Sequence, residues 1–325
     1  MVARRPPLSF IPPFLPDQTL YSWVTMFHEL SGNASEKETL IQLFGSDKAG
    51  HQFHIPSHLD AFCAATQGCL GGAEQIIDKA TILPAYLRFR FSAITADVVQ
   101  RVRGNQTAGV AQTLRIAQSR IYGIAPRRAC HLCVAEDLYC YGFAYWHRSH
   151  QLPGSLVCIH HGTVLHATPV DSHDKRRVGF LTPAQDLRSA GIVFSLSECS
   201  EDVLGLLKRL AVLAMQMVTQ PLPGIFSRAV MRQTCISALQ ARNLFRENAT
   251  DCILHSNRDY TDHFKMVATI PEVACALSQR SLSPLWSLLS NTRQPDHPLE
   301  YLLLINWLFG SWDAFVLQYA MHCPG

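Results

Sequence analysis

Two short motifs near the middle of the chain carry donors suited to soft metals: Cys130-x2-Cys133 and Cys158-x2-His161. Each presents two donors to one point, and together they complete the tetrahedron of a closed site, predicting one Zn2+ per chain on Cys130, Cys133, Cys158 and His161. Mixed thiolate and imidazole donors favour zinc over hard cations. Cys140, His131, His160 and His166 stand close enough to substitute, with His160 the nearest rival to His161. Other cysteine chemistries lack their parts. Val134 stands where haem attachment needs histidine, no HxE precedes the cysteines as a zinc deaminase needs, and no βαβ pattern frames a redox pair. Four protein donors leave no open position for a substrate, and Glu136 and Asp137 are the only nearby carboxylates. A zinc-dependent enzyme is therefore the weakest reading, and no catalytic residue is assigned. His147 and His150 read as surface or hydrogen-bonding groups.

A second chemistry precedes the cysteines. Between Thr81 and Ala129, eight arginines face a single acid, Asp97, a local charge of +7 in a chain whose total is +3, which leaves −4 elsewhere. Charge segregated in this way is a candidate phosphate-binding surface, interleaved with Tyr86, Phe89, Phe91 and Tyr122. Arg88, Arg90, Arg101, Arg103, Arg127 and Arg128 are its candidate DNA contacts. Such contacts give salt-dependent affinity and little sequence information.

The elements that must position these groups read as mainly helical. Asp17 is placed to cap a helix with an apolar face of Leu20, Trp23, Val24, Phe27 and Leu30. Ser35 with Glu38 opens a second helix stopping at Gly45, and Ser57 opens a third before Gly68. These three suit a helix-turn-helix arrangement or a plain helical bundle. Asp171 to Arg177 reads as a loop. Further helices follow, one through Val203 to Met217, one opened by Ser227, one with Ser283 and Pro284 at its start, and a last one running from Pro298 through Trp312 to Val316. The fold class is thus mainly α with a small zinc-binding finger. Its regions are 1–128 (helix-turn-helix-like, with the basic segment), 129–170 (zinc-binding) and 171–325 (helical).

The central motifs resemble the TniQ family of bacterial transposition target-selection proteins. The residues that carry this are the four metal donors, Tyr141-Gly142, Tyr145-Trp146-His147-Arg148, His150-Gln151-Leu152-Pro153-Gly154 and Gly162 with Leu165. Pro16 to Ser22, Ile55 to Leu59 and Thr81 to Pro84 are similar to its outlying landmarks. His297-Pro298 to Trp312 is similar to a helix of its TnsD-like members. The resemblance implies a non-catalytic adaptor that recognises target DNA and recruits an AAA+ ATPase regulator of the TnsC or TniB kind. The alternative it implies is an adaptor docked on an RNA-guided CRISPR effector complex with little DNA affinity of its own. Second cysteine clusters of some members are missing after His161, and members are often longer, so this chain reads as a short relative or a fragment. Combined with the resemblance, Phe10, Phe14 and Trp23 mark a partner-binding segment, because Pro12, Pro13 and Pro16 hold Phe10 and Phe14 in an extended arm. The bland reading of that arm is packing on the first helix.

At 325 residues and 48% apolar, with 16% charged, the chain has room for about two domains and is too apolar for disorder. Five prolines within the first sixteen residues break any secretory core, charged or polar residues interrupt the later apolar stretches, and the 11 cysteines form no disulfide framework. The expected setting is the cytoplasm, nucleoid-associated, with no membrane partner.

Overall fold

Thr19, not Asp17, opens the first helix. In the computed structural model, which describes residues 8–49, 54–116, 121, 126–167, 179–189, 200–245, 250–277, 284–289, 295 and 297–323, the Thr19 hydroxyl accepts from Ser22 N to cap α1 (Leu20–Ser31). Asp17 takes a positive φ and binds Ser149 instead, through both the backbone N–H (2.9 Å) and the hydroxyl (2.5 Å). Gly32 in the left-handed region turns the chain into α2 (Glu36–Phe44), which Ser35 caps. After α3 (Leu59–Ala65) come α4 (Ala73–Ala80), α5 (Leu83–Leu87), α6 (Ser92–Arg103) and α7 (Val110–Thr113). His58, and not Ser57, occupies the cap position of α3. The four-residue connection of α1 to α2 suits a helix-turn-helix, yet the outer side of α2 carries Lys37, Glu38 and Ile41, a poor face for phosphate.

The middle of the chain is bracketed by a two-stranded antiparallel sheet, β1 (Arg128–Ala129) with β2 (His166–Ala167), pairing Arg128 with Ala167 and Ala129 with His166. Between the strands lie α8 (His131–Tyr141) and the short α9 (Arg148–Gln151). Then follow α10 (Pro183–Ser189), α11 (Glu201–Thr219), α12 (Arg228–Ala241), α13 (Thr250–His263), α14 (Pro271–Leu277), α15 (Pro284–Leu289), α16 (Pro298–Phe309) and α17 (Trp312–Met321). The helix expected to run from Pro298 to Val316 is two helices: Gly310, at φ 72, ends α16, and Ser311 caps α17. The loop expected at Asp171 to Arg177 and the cap at Ser283 lie outside the described residues.

Two large apolar cores form among the described residues, beside a small cluster of Cys130, Cys133, Cys158 and Leu165. One gathers α1 to α7 around Trp23, Phe27, Phe44 and Phe62, and includes Ala129, Trp146 and Phe180. The other gathers α11 to α17 around Tyr260, Tyr301, Trp307 and Trp312, and takes in Ile82, Ala85 and Phe89 from the first part of the chain. The segment of Leu152, Leu156 and Val157 also belongs to this second core, so the middle of the chain is wedged between the two.

Candidate metal centre

Cys130 sits in extended conformation at the N-cap of α8 and Cys133 on its first turn, so both sulfurs meet the positive end of that helix. The second pair is built on a hairpin. Val157 bridges Val164, Cys158 N donates to Thr163 O (2.8 Å), and Gly162 N donates to Cys158 O (2.8 Å). Gly162 stands at φ 67, which a side chain resists, and the turn folds His161 back over Cys158. The four donor atoms lie within 4.8 Å of one another. Cys133 Sγ is 3.6 Å from Cys158 Sγ, and the His161 Nδ1 distances to Cys130, Cys133 and Cys158 are 3.5, 3.4 and 3.6 Å. A zinc tetrahedron with the usual bond lengths sets sulfur to sulfur at about 3.7 Å and sulfur to nitrogen at about 3.5 Å. The residues fit such an ion.

The surroundings fit it as well. Presenting Nδ1 to the cluster leaves His161 Nε2 to face Glu136 Oε1 at 3.0 Å, and that carboxylate raises the His161 pKa. A carboxylate behind a ligating imidazole fixes the ring's tautomer and orientation. Thr163 Oγ1 approaches Cys130 Sγ at 3.2 Å. Thiol donation from Cys133 and Cys158 holds Cys130 far below the usual thiol range, while Cys133 is held far above it. A divalent cation would let all three ionise together. Behind the cluster His150 is buried, its pKa pushed down to about 3 by burial and by His147, with Nε2 3.8 Å from Cys133 Sγ. His147 Nε2 binds Asp137 Oδ2 at 2.9 Å under the stacked ring of Tyr145. Both histidines are therefore interior groups, not surface ones. His131, Cys140 and His160 are exposed and stand outside the quartet, as does His166.

Comparison with known proteins finds one family similarity. Residues 9–165 match the family model described as TniQ. Over this stretch, a little under half of its length, the chain is similar to the TniQ family. A 159-residue stretch is also 28% identical to the transposon Tn7 transposition protein TnsD of Escherichia coli, over 48% of this chain and 31% of that protein. The aligned part thus spans about a third of TnsD. The TniQ segment ends at Leu165, just beyond the hairpin that supplies Cys158 and His161.

The arginines of the TniQ segment and its border do not assemble into one surface. Arg128 is buried, pairing with Glu272 Oε2 at 2.6 Å and donating to Ser155 O at 3.1 Å. Arg127 pairs with Asp186 at 2.9 Å and lies over the rings of Tyr21 and Trp146. Arg88 donates to Met217 O and Val218 O at the end of α11, and burial lowers its pKa. Arg90, also buried, donates to Leu114 O. Arg101 holds Asp97, Gln106 O, Thr113 and Ala108 O, and Arg103 holds Asp60 (3.0 Å) and Glu74 (3.6 Å). Arg88, Arg103, Arg127 and Arg128 are thus answered by acids and carbonyls from outside the basic window, which a reading of the local sequence misses, while Arg90 and Arg101 find their partners within it.

The proline-rich arm lies on α1. Phe10 stacks on Phe27 at 5.3 Å between ring centroids, Phe14 packs on Trp23 at 5.9 Å, and Trp23 Nε1 donates to Pro12 O at 2.9 Å. Trp23 is fully buried and Phe14 half-buried, so of the three expected partner contacts only Phe10 retains a substantial open face.

Proposed function

We propose that this chain is a non-catalytic target-selection adaptor of DNA transposition, which engages target DNA and recruits an AAA+ ATPase regulator. The observation that carries the reading is the coincidence of the TniQ match with a closed Cys3His quartet. A zinc ion held by Cys130, Cys133, Cys158 and His161 would supply cross-linking and no reaction, because four protein donors fill its tetrahedron. In this reading the quartet fixes the start of α8 against the 157–164 hairpin, and so sets the surface that α8 shows to partners. Of Phe10, Phe14 and Trp23, Phe10 at the open end of the arm is the one left to touch the ATPase.

How DNA is reached has two versions. The inward turn of Arg88, Arg90, Arg127 and Arg128 favours the adaptor docked on an RNA-guided effector complex, since these four have little to offer phosphate. Direct binding would rest on the outer groups Arg101 and Arg103. Fluorescence anisotropy with random duplex DNA across a salt series separates the two. For direct binding, Arg103→Ala lowers the salt slope by about one; for docking, binding at low salt is weak and insensitive to that change. Absence of both DNA binding and co-purification with the ATPase regulator or an effector complex would overturn the adaptor reading.

A further inference from the structure

The three thiols of the quartet are withdrawn from solvent: Cys130 and Cys158 are fully buried and Cys133 is 3% exposed. A divalent ion held by three thiolates and one imidazole leaves one net negative charge, and Glu136, behind His161, adds a second. Charge buried in this way is costly unless hydrogen-bond donors surround it.

Each sulfur has such a donor. Cys158 Sγ accepts from the backbone N–H of His161 at 3.5 Å, a bond contained within the hairpin turn. The other two are served across segments. Thr163 Oγ1, on that hairpin, stands 3.2 Å from Cys130 Sγ, and His150 Nε2, on α9, stands 3.8 Å from Cys133 Sγ. A metal-bound thiolate has no proton to give, so in the loaded centre the hydroxyl and the imidazole must be the donors.

Both groups are held in place by their own segments. Thr163 O accepts from Cys158 N at 2.8 Å, which ties the hydroxyl to the ligand turn. α9 is seated by Arg148 on Thr81 O at 2.7 Å. Its Gln151 amide also brackets Arg128 N and O, at 3.0 and 2.7 Å, on the strand that leads into Cys130. His150 is 1% exposed, and Cys133 Sγ is its one hydrogen-bond partner among the described residues, Nδ1 having none. A ring proton on Nε2 therefore finds an acceptor, whereas on Nδ1 it would be an orphaned buried donor, the costlier arrangement.

We propose that Thr163 and His150 are positioning residues of the metal centre, whose O–H and N–H draw charge from the Cys130 and Cys133 thiolates, so that the ion is retained and the sulfurs resist electrophiles. The inference rests on the zinc reading of the quartet and goes beyond it, because it makes the cross-link chemically inert as well as closed.

The test uses the full, zinc-loaded chain. N-ethylmaleimide adds to a thiolate sulfur while water supplies the proton to its carbon, and the zinc set free is followed with a metallochromic indicator. Thr163→Val, which exchanges the hydroxyl for a methyl, should speed release about tenfold and weaken zinc affinity about tenfold, while Thr163→Ser stays at the wild-type level. In the cobalt(II)-loaded chain, Thr163→Val should move the sulfur-to-cobalt charge-transfer band to longer wavelength, and Thr163→Ser should leave it in place. His150 has a readout that needs no substitution: imidazole nitrogen NMR of the zinc-loaded wild type should find its proton on Nε2. The role of Thr163 is overturned if Thr163→Val matches wild type in rate and band, or if Thr163→Ser follows Thr163→Val. A proton on Nδ1 overturns the role of His150. A chain that takes up neither zinc nor cobalt overturns the zinc reading and this inference with it, whereas a fully loaded chain whose sulfurs ignore these changes overturns this inference alone.

Discussion

Replacing Arg128 with methionine tests whether the arginine before the first metal donor is architectural or meets phosphate. Arg128 and Glu272 are 4% and 6% exposed and 2.6 Å apart, and a second guanidinium nitrogen donates to Ser155 O. Removing one member of a buried pair leaves the other charge uncompensated, at a cost of about 3–5 kcal/mol. The lost bond to Ser155 adds about 1 kcal/mol more. Urea unfolding followed by circular dichroism should show a loss of that size for Arg128→Met, nearly constant across a salt series because the pair is shielded from mobile ions. The double variant Arg128→Met/Glu272→Leu should recover most of it, since a well-packed apolar pair is often as stable as the ion pair it replaces. Any fall in DNA affinity should then track the unfolded fraction. A single variant that loses less than about 1 kcal/mol, or a double variant no more stable than the single, would refute the reasoning.

Metal analysis should find one zinc per chain in the wild type and none in Cys133→Ser, with the helical cores retained at least in part. Glu136→Gln, which removes the charge behind His161 Nε2, should weaken zinc affinity about tenfold in a chelator competition, and unchanged affinity would deny Glu136 its positioning role. Burial, reinforced by Arg90 and Arg128, pushes the His297 pKa down to about 3. The unfolded chain therefore binds the extra proton first, so stability is full above about pH 6.5 and falls by up to about 1.4 kcal/mol per unit down to pH 3. His297→Asn, which keeps a capping side chain at α16, should flatten that limb in unfolding measured over the same range. Phe14→Ala should cost about 2–3 kcal/mol by unpacking Trp23, and a neutral result would show that the arm adds nothing to the first core.

What was legible in the sequence was local. The metal quartet could be read because two-residue spacings close a turn on their own, and the caps at Ser35 and Ser227 because a hydroxyl reaches only the next turn. The TniQ landmarks around Trp146 and Gly154 were legible as a pattern, although their roles were not. Trp146 closes the first core and Gly154, at φ 82, lies against Leu299 and Leu302. The arginines could not be placed because their partners come from far along the chain: Asp186 for Arg127, Glu272 for Arg128, the end of α11 for Arg88. The break at Gly310 is hidden because apolar periodicity continues in phase through Trp312 and Phe315 while one left-handed residue ends the helix.

The antiparallel pairing of β1 with β2 bears on the order in which the chain assembles. Cys130 and His161 are separated by 31 positions, Arg128 and Glu272 by 144. Closing the longer loop from an open chain costs about 1.4 kcal/mol more in entropy than closing the shorter one. Once the quartet has formed, the strand that carries Arg128 is already registered against Ala167, and the later search by α14 is for a seated guanidinium on a small rigid body. Zinc capture would thus belong to the fast, local phase of folding and the Arg128–Glu272 lock to the slow, long-range phase. A nascent chain short of metal would face that second search with its target strand unpaired.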